Sequence, residues 1–210
     1  MRALLDLKNN GFEPKNILDI GAYKGLWSRH VKTIFPSSEF HLIEPINYDE
    51  LHNYDNVHNV VLSDSEKEVD WYQKKNTGDS MFKENTGHFK DCVPIKKNTT
   101  TLDNIFSDIV FDFIKIDVQG AEIPVLKGGK KLIEKTSFIL MEMPFVGVYN
   151  DSVPNFLEHI KFMDSIGFIP YEVVEIHKLE DVTIQIDFLF IKKNHEILHK
   201  AQEKINKSGL

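Results

Sequence analysis

Carboxylates that close apolar runs are the residues of this chain best placed to do chemistry. Asp19 ends Asn16-Ile-Leu-Asp-Ile20 and is followed by Gly21, Ala22 and Gly25. Glycines after a buried strand let the backbone pass close to a ligand. Asp19 at the strand end suits the ammonium of an amino-acid-like ligand. The spacing Asp-x-Gly-x-x-x-Gly differs from the Gly-x-Gly-x-x-Gly that seats a dinucleotide pyrophosphate. It therefore points to a nucleoside ligand without a diphosphate, of which S-adenosylmethionine is the commonest, and it disfavours a nicotinamide oxidoreductase. Glu44 ends a second run, Glu39–Ile43, and is stopped by Pro45; it lies 25 residues after Asp19. At that interval an acid can hydrogen-bond both ribose hydroxyls. A third run, Val57–Leu62, ends in Ser63 and Asp64, where a carboxylate can accept from an adenine amino group.

Asp117 and Glu142 close two more runs, Phe111–Ile116 and Ser137–Met141. Each is a candidate base for an alcohol acceptor, whose proton must leave as the new bond forms. His88, in a loop and titrating near neutral pH, is a second-rank base. Lys115 and Asp117 share a strand face, which predicts an ion pair with Lys115 in support. A divalent metal held by two or three of Asp117, Glu142 and Asp187 is an alternative way to activate a hydroxyl. Their spacing does not diagnose one, and no metal is assigned. Phe145, Tyr149 and Trp71 are candidates to stack on a sugar face.

To bring these acids together, the runs must be strands whose carboxyl ends lie on one edge. Apolar strands separated by helical segments predict an α/β fold with a mostly parallel sheet. Leu4–Asn9 reads as a leading helix within residues 1–15, Leu26–Phe35 as the first crossover helix, and Asp49–Asn53 as a short second one. Glu68–Gln73 alternates like a strand. Residues 74–98 are rich in turn formers and read as an irregular loop on the acceptor side. Thr101 is a candidate N-cap. Glu122–Glu134 reads as a helix interrupted at Gly128-Gly129, and Pro154–Ile166 as an amphipathic helix with Phe156, Leu157, Ile160, Met163 and Ile166 on one face. Phe168–Ile176 and Thr183–Ile191 can pair antiparallel. Residues 192–210 are a polar tail that forms a final helix or frays.

Several of these segments together resemble one family. Ile17-Leu-Asp-Ile-Gly-Ala-Tyr-Lys-Gly25, Ile43-Glu-Pro45, Leu62-Ser-Asp64, Thr101-Leu-Asp103 and above all Ile114-Lys-Ile-Asp-Val-Gln-Gly-Ala-Glu122 are similar to the FkbM-type methyltransferases. Leu126-Lys-Gly128, Leu140-Met-Glu142 and Asp187-Phe-Leu-Phe190 are similar too. The resemblance implies a class I, Rossmann-like fold with a seven-stranded sheet and a C-terminal antiparallel pair. It implies an S-adenosylmethionine-dependent enzyme acting on hydroxyls of sugars, glycans or related natural products. Asp19, Gly21, Ala22, Gly25, Glu44, Pro45, Ser63, Asp64 and Asp117 would be its cofactor contacts. Many members carry Asn where Tyr23 stands. The competing function is a non-catalytic cofactor-binding or scaffold protein of the same fold.

Composition bounds these expectations. A chain of 210 residues fits one domain burying about 70% of its unfolded surface. A net charge of −7 argues against general nucleic-acid binding. One cysteine, Cys92, excludes an internal disulfide and suits a reducing compartment. No run reaches the ~18 apolar residues of a membrane span. The chain is thus expected to be cytoplasmic, with a small-molecule or glycan acceptor; nothing identifies an oligomer.

Overall fold

The computed structural model describes residues 1–147 and 150–208. Its centre is a seven-stranded sheet in which apolar runs pair in parallel. Strands β1 (Asn16–Ile20), β2 (Glu39–Ile43) and β3 (Asn56–His58) form one half. Two further strands, β4 (Val61–Leu62) and β5 (Glu68–Trp71), lie outside this sheet and pair with β6 (Ile95–Thr100). The second half of the large sheet comprises β7 (Phe113–Ile116), β8 (Phe138–Pro144), β9 (Phe168–Leu179) and β10 (Val182–Lys192). The order is β3-β2-β1-β7-β8-β10-β9, with β10 antiparallel to both neighbours. This is the mostly parallel sheet with a closing antiparallel pair that the resemblance implies.

Helices cover both faces. They are α1 (Arg2–Asn9), α2 (Leu26–Ile34), α3 (Leu102–Ile105), α4 (Glu122–Lys127), α5 (Lys130–Ile133), α6 (Phe156–Ser165) and α7 (Glu196–Lys207), with a 3-10 turn at Asp49–Asn53. The parallel strands are apolar on both sides because both sides are covered. One core, including Ile20, Ile114, Ile116 and Met141, packs under α4 to α6; the other, including Ile17, Phe35, Phe113 and Leu140, packs under α1 and α2. No helix among the described residues is long and apolar enough to cross a membrane.

Local chemistry sets the element ends. Gly21 has φ of 78°, and a Cβ there would lie 1.8 Å from the Asp117 carbonyl oxygen, so only glycine lets the ends of β1 and β7 meet. Thr101 caps α3 by accepting from the Asn104 N–H, as its sequence position predicts. Asn155 and Glu158 form a capping box at the start of α6.

Three expectations are corrected. The run Val57–Leu62 is not one strand: the chain leaves the large sheet after His58, and Val61–Leu62 joins β6 instead. The irregular stretch ends before Ile95, because β6 gains a partner on each side despite its lysines. The amphipathic face of α6 includes Met163 but not Leu157, which is exposed. The polar tail takes the helical alternative expected for it: most of it is α7, which Lys200 and Lys204 tie back to Asn10.

Candidate active site

The carboxyl ends of β1, β2 and β7 open onto a cavity of about 650 Å³. Its wall is apolar where Val60, Val61, Leu62 and Val125 line it, and polar where Glu44, Asp79 and Asp117 do. Glu44 sits at the end of β2 with both oxygens anchored, accepting from the Tyr23 and Ile46 N–H groups at 2.9 and 3.0 Å. Burial nevertheless dominates and raises its pKa to about 7. Asp79 comes from the irregular segment, where it accepts from the Lys74 and Lys75 N–H groups at 2.7 and 2.9 Å. Burial raises it too, against those backbone donors.

Beneath the cavity lies a line of charge. Asp19 is wholly buried, not on the wall, and accepts from Ser28 Oγ at 2.7 Å. Lys115 Nζ stands 3.6 Å from Asp19 and 3.3 Å from Asp117, the second being the predicted ion pair, and donates to the Gly21 carbonyl at 3.1 Å. Burial works against the Lys115 charge, but Asp117 and then Asp19 raise its pKa above the ordinary lysine value. One ammonium thus serves two carboxylates unequally. Burial raises Asp19 overall, whereas at Asp117 burial is outweighed by the Lys115 charge together with hydrogen bonds from Glu142, Gln119 and Lys115, and the pKa falls.

Gln119 joins Asp117 to Glu142. Its Nε2 donates to Asp117 Oδ1 at 2.9 Å and to Glu142 Oε2 at 2.7 Å. It does so from a left-handed backbone, with φ of 54°. Strain of that kind in a non-glycine residue persists where surroundings impose it, often at sites of function. Burial and the Asp117 charge raise Glu142 well above the ordinary carboxylate value. The two carboxyls titrate as a pair that is driven apart, Asp117 downward and Glu142 upward.

A second, more open cleft of about 1100 Å³ begins at these residues. Asp117, Gln119 and Glu142 form its base, His88, Glu84 and Thr86 one side, and Leu179, Ile184 and Gln185 of the β9–β10 hairpin the other. The irregular segment is fixed in place over both cavities. Ser80, buried, donates to the Gln119 carbonyl at 2.9 Å, and Glu84 bridges to Asn150. Asp117 and Gln119 belong to the walls of both cavities, so the two meet there.

Of the residues singled out in the sequence, the cavity wall holds Gly21, Glu44, Pro45 and Asp117. Ala22 and Ser63 are buried off it. Gly25 is the N-cap of α2, against Tyr54. Asp64 lies past the divergence of β4 and pairs with Lys67 at 2.7 Å, which lowers its pKa. His88 is exposed at the cleft mouth. Trp71 lines the first cavity and not the second cleft, with Lys97 over its ring at 5.1 Å. Phe145 is half-exposed and packs edge-on against Phe156. Tyr149 lies outside the described residues. Sequence reasoning missed Asp79, Met81 and Tyr23 in the first cavity and Glu84 in the second. None stands at the end of an apolar run, the only signal available.

Comparison with known proteins is consistent with this geometry. A family model, the methyltransferase FkbM domain, matches residues 19–170. The 2-O-methyltransferase NoeI of Sinorhizobium fredii is 26% identical over 162 residues, 66% of this chain and 67% of that protein. Among solved structures, methyltransferase FkbM from Methylobacillus flagellatus KT has a TM-score of 0.54 at 15% identity, over 83% of this chain. The match spans only 43% of that longer chain. The 1,6-didemethyltoxoflavin-N1-methyltransferase of Burkholderia thailandensis, solved with 1,6-didemethyltoxoflavin and S-adenosylhomocysteine, has a TM-score of 0.51 at 8% identity. That match covers 92% of this chain and 78% of the other. At such identities these structures share the fold.

Proposed function

This chain belongs to the FkbM methyltransferase family, and from that membership we propose that it transfers a methyl group from S-adenosylmethionine to a hydroxyl of a sugar, glycan or related natural product. The observation that carries the proposal is the meeting of the two cavities at Asp117 and Gln119. A donor in one and an acceptor in the other would face each other there.

The first cavity suits the donor in shape and chemistry. Val60, Val61, Leu62 and Val125 offer an apolar slot to a purine, and Glu44 retains lone pairs for ribose hydroxyls. Asp79 would take the ammonium end. When bound, the sulfonium supplies an electrophilic methyl and its own leaving group. The work left to this chain is alignment, where positioning contributes several kcal/mol, and removal of the hydroxyl proton.

Asp117 is the proposed base: it is ionised, it reaches both cavities, and Gln119 and Lys115 fix its orientation. As the acceptor oxygen bonds to the methyl carbon, the carbon–sulfur pair stays with sulfur and the hydroxyl proton goes to Asp117. Glu142 shares the Gln119 amide with Asp117 and is raised by burial and by the Asp117 charge. Hydrogen-bonding groups in the second cleft, Thr86, His88, Gln119 and Gln185 among them, suit a hydroxyl-bearing acceptor, and the 2-O-methyltransferase relative supports an oxygen target.

A screen of hydroxylated acceptors by mass spectrometry tests this. The expected result is a product heavier by one CH2. Asp117→Asn should lower turnover by about 10²–10⁴-fold while leaving S-adenosylhomocysteine affinity within about threefold. Turnover unchanged in that variant removes Asp117 as base. A parent protein that binds the cofactor but methylates nothing favours the scaffold reading.

A further inference from the structure

Across the last three strands of the sheet, acid faces acid. Asp187 on β10 is in direct register with Glu142 on β8 and with Glu175 on β9. Like charges placed opposite one another destabilise a sheet. The Lys115 ammonium is already engaged by Asp19 and Asp117.

His177 stands in the same place. It pairs with Gln185, two residues from Asp187, so the two side chains share a face of the sheet. His177 Nε2 lies 3.4 Å from Asp187 Oδ1, an oxygen that is buried and accepts no hydrogen bond. One donor atom from each of Glu142, His177 and Asp187 lies within 4.8 Å of the others, the one such trio among the described residues. Ligands of a common ion at about 2.1 Å stand roughly 3 Å apart, so small side-chain rotations would close the set.

We propose that Glu142, His177 and Asp187 bind one divalent transition-metal ion at the rim of the acceptor cleft. An imidazole with two carboxylates suits Mn²⁺ or Zn²⁺ better than the all-oxygen preference of Ca²⁺ or Mg²⁺. Three protein ligands leave positions open, and Glu142 and Gln185 place them toward the cleft. There the ion would take the acceptor hydroxyl as a ligand, accept a lone pair from its oxygen and ease its deprotonation to Asp117. That role rests on the methyl-transfer reading; ion binding itself does not.

Titration of the full chain with Mn²⁺, followed by loss of the free-ion electron paramagnetic resonance signal, tests the site. One ion per chain is expected. His177→Ala and Asp187→Asn should each weaken binding by about 10–100-fold, while His199→Ala, on α7, leaves it unchanged. S-adenosylhomocysteine affinity, measured on the same variants, reports whether they remain folded. No bound ion, or an ion indifferent to His177→Ala, overturns the proposal. Ion binding without any cofactor binding would retain the site and remove the methyl-transfer reading instead.

Discussion

Glu44 is where a single residue states most about the ligand. Burial raises its pKa from 4.5 to about 7, so between those values the folded state holds more protons than the unfolded one. Its contribution to stability is therefore full below 4.5 and is lost as pH rises through about 7, a loss of up to about 3 kcal/mol. An ionised carboxylate kept in a buried site at that cost is explained by donors that arrive with a ligand. Glu44→Gln should flatten the fall of melting temperature across that pH window. It should also weaken S-adenosylhomocysteine by about 10–100-fold, the loss of a charge-assisted hydrogen bond to ribose. Equal affinity in parent and variant would remove Glu44 from the nucleoside site. Glu44 and Asp117 were legible in the sequence because each ends an apolar run. His177 and Asp79 were not, since partners far along the chain bring them to the site. Tyr23 was half legible: its φ of 50° is the left-handed region that asparagine, common there in the family, tolerates best.

At the scale of elements, the turn after β7 is held by Glu122 at the start of α4. Its Oε1 accepts from the Val118 and Gly120 N–H groups at 3.0 and 3.2 Å, and so fixes the residues that flank Gln119. Its other oxygen faces His159 of α6, with His159 Nε2 at 3.8 Å and both residues buried. Glu122→Ala would leave two backbone donors without a partner and remove the carboxylate that faces His159. Urea unfolding should show a loss of about 2–4 kcal/mol, and a loss below about 0.5 would mean that the turn holds itself. The Ile-Lys-Ile-Asp-Val-Gln-Gly-Ala-Glu block reads in the sequence as strand, turn and helix because its apolar period changes at Gly120. The break between β3 and β4 gives no such signal. Val57–Leu62 is apolar almost throughout, and the chain changes sheets at Asn59 because that side chain donates to the Glu44 carbonyl at 2.9 Å. The displacement of Asp64 from the cavity follows from that tertiary contact. Residues Ile95–Thr100 likewise become a strand through their neighbours and not through their own pattern.

For the whole molecule, the seven-stranded order gathers the ends of β1, β2, β7 and β8 on one edge, and the segment between β5 and β6 closes over them. That arrangement yields one cavity that holds Glu44, adjoining a more open cleft with the fixed Asp117 carboxylate between. A mostly parallel sheet was legible from the apolar runs and their acidic ends, but its strand order was not. The roof was legible as an irregular loop, whereas its buried anchors, Ser80 and Phe89, carry no periodic signal of their own. The donor site is the part on which everything else depends, and calorimetric titration of the folded protein with S-adenosylhomocysteine, with NADH in parallel, tests it most directly. One site of micromolar affinity for the first and no heat from the second is the expected result. A folded protein that binds neither, or that binds NADH alone, would contradict the assignment of the cavity to S-adenosylmethionine.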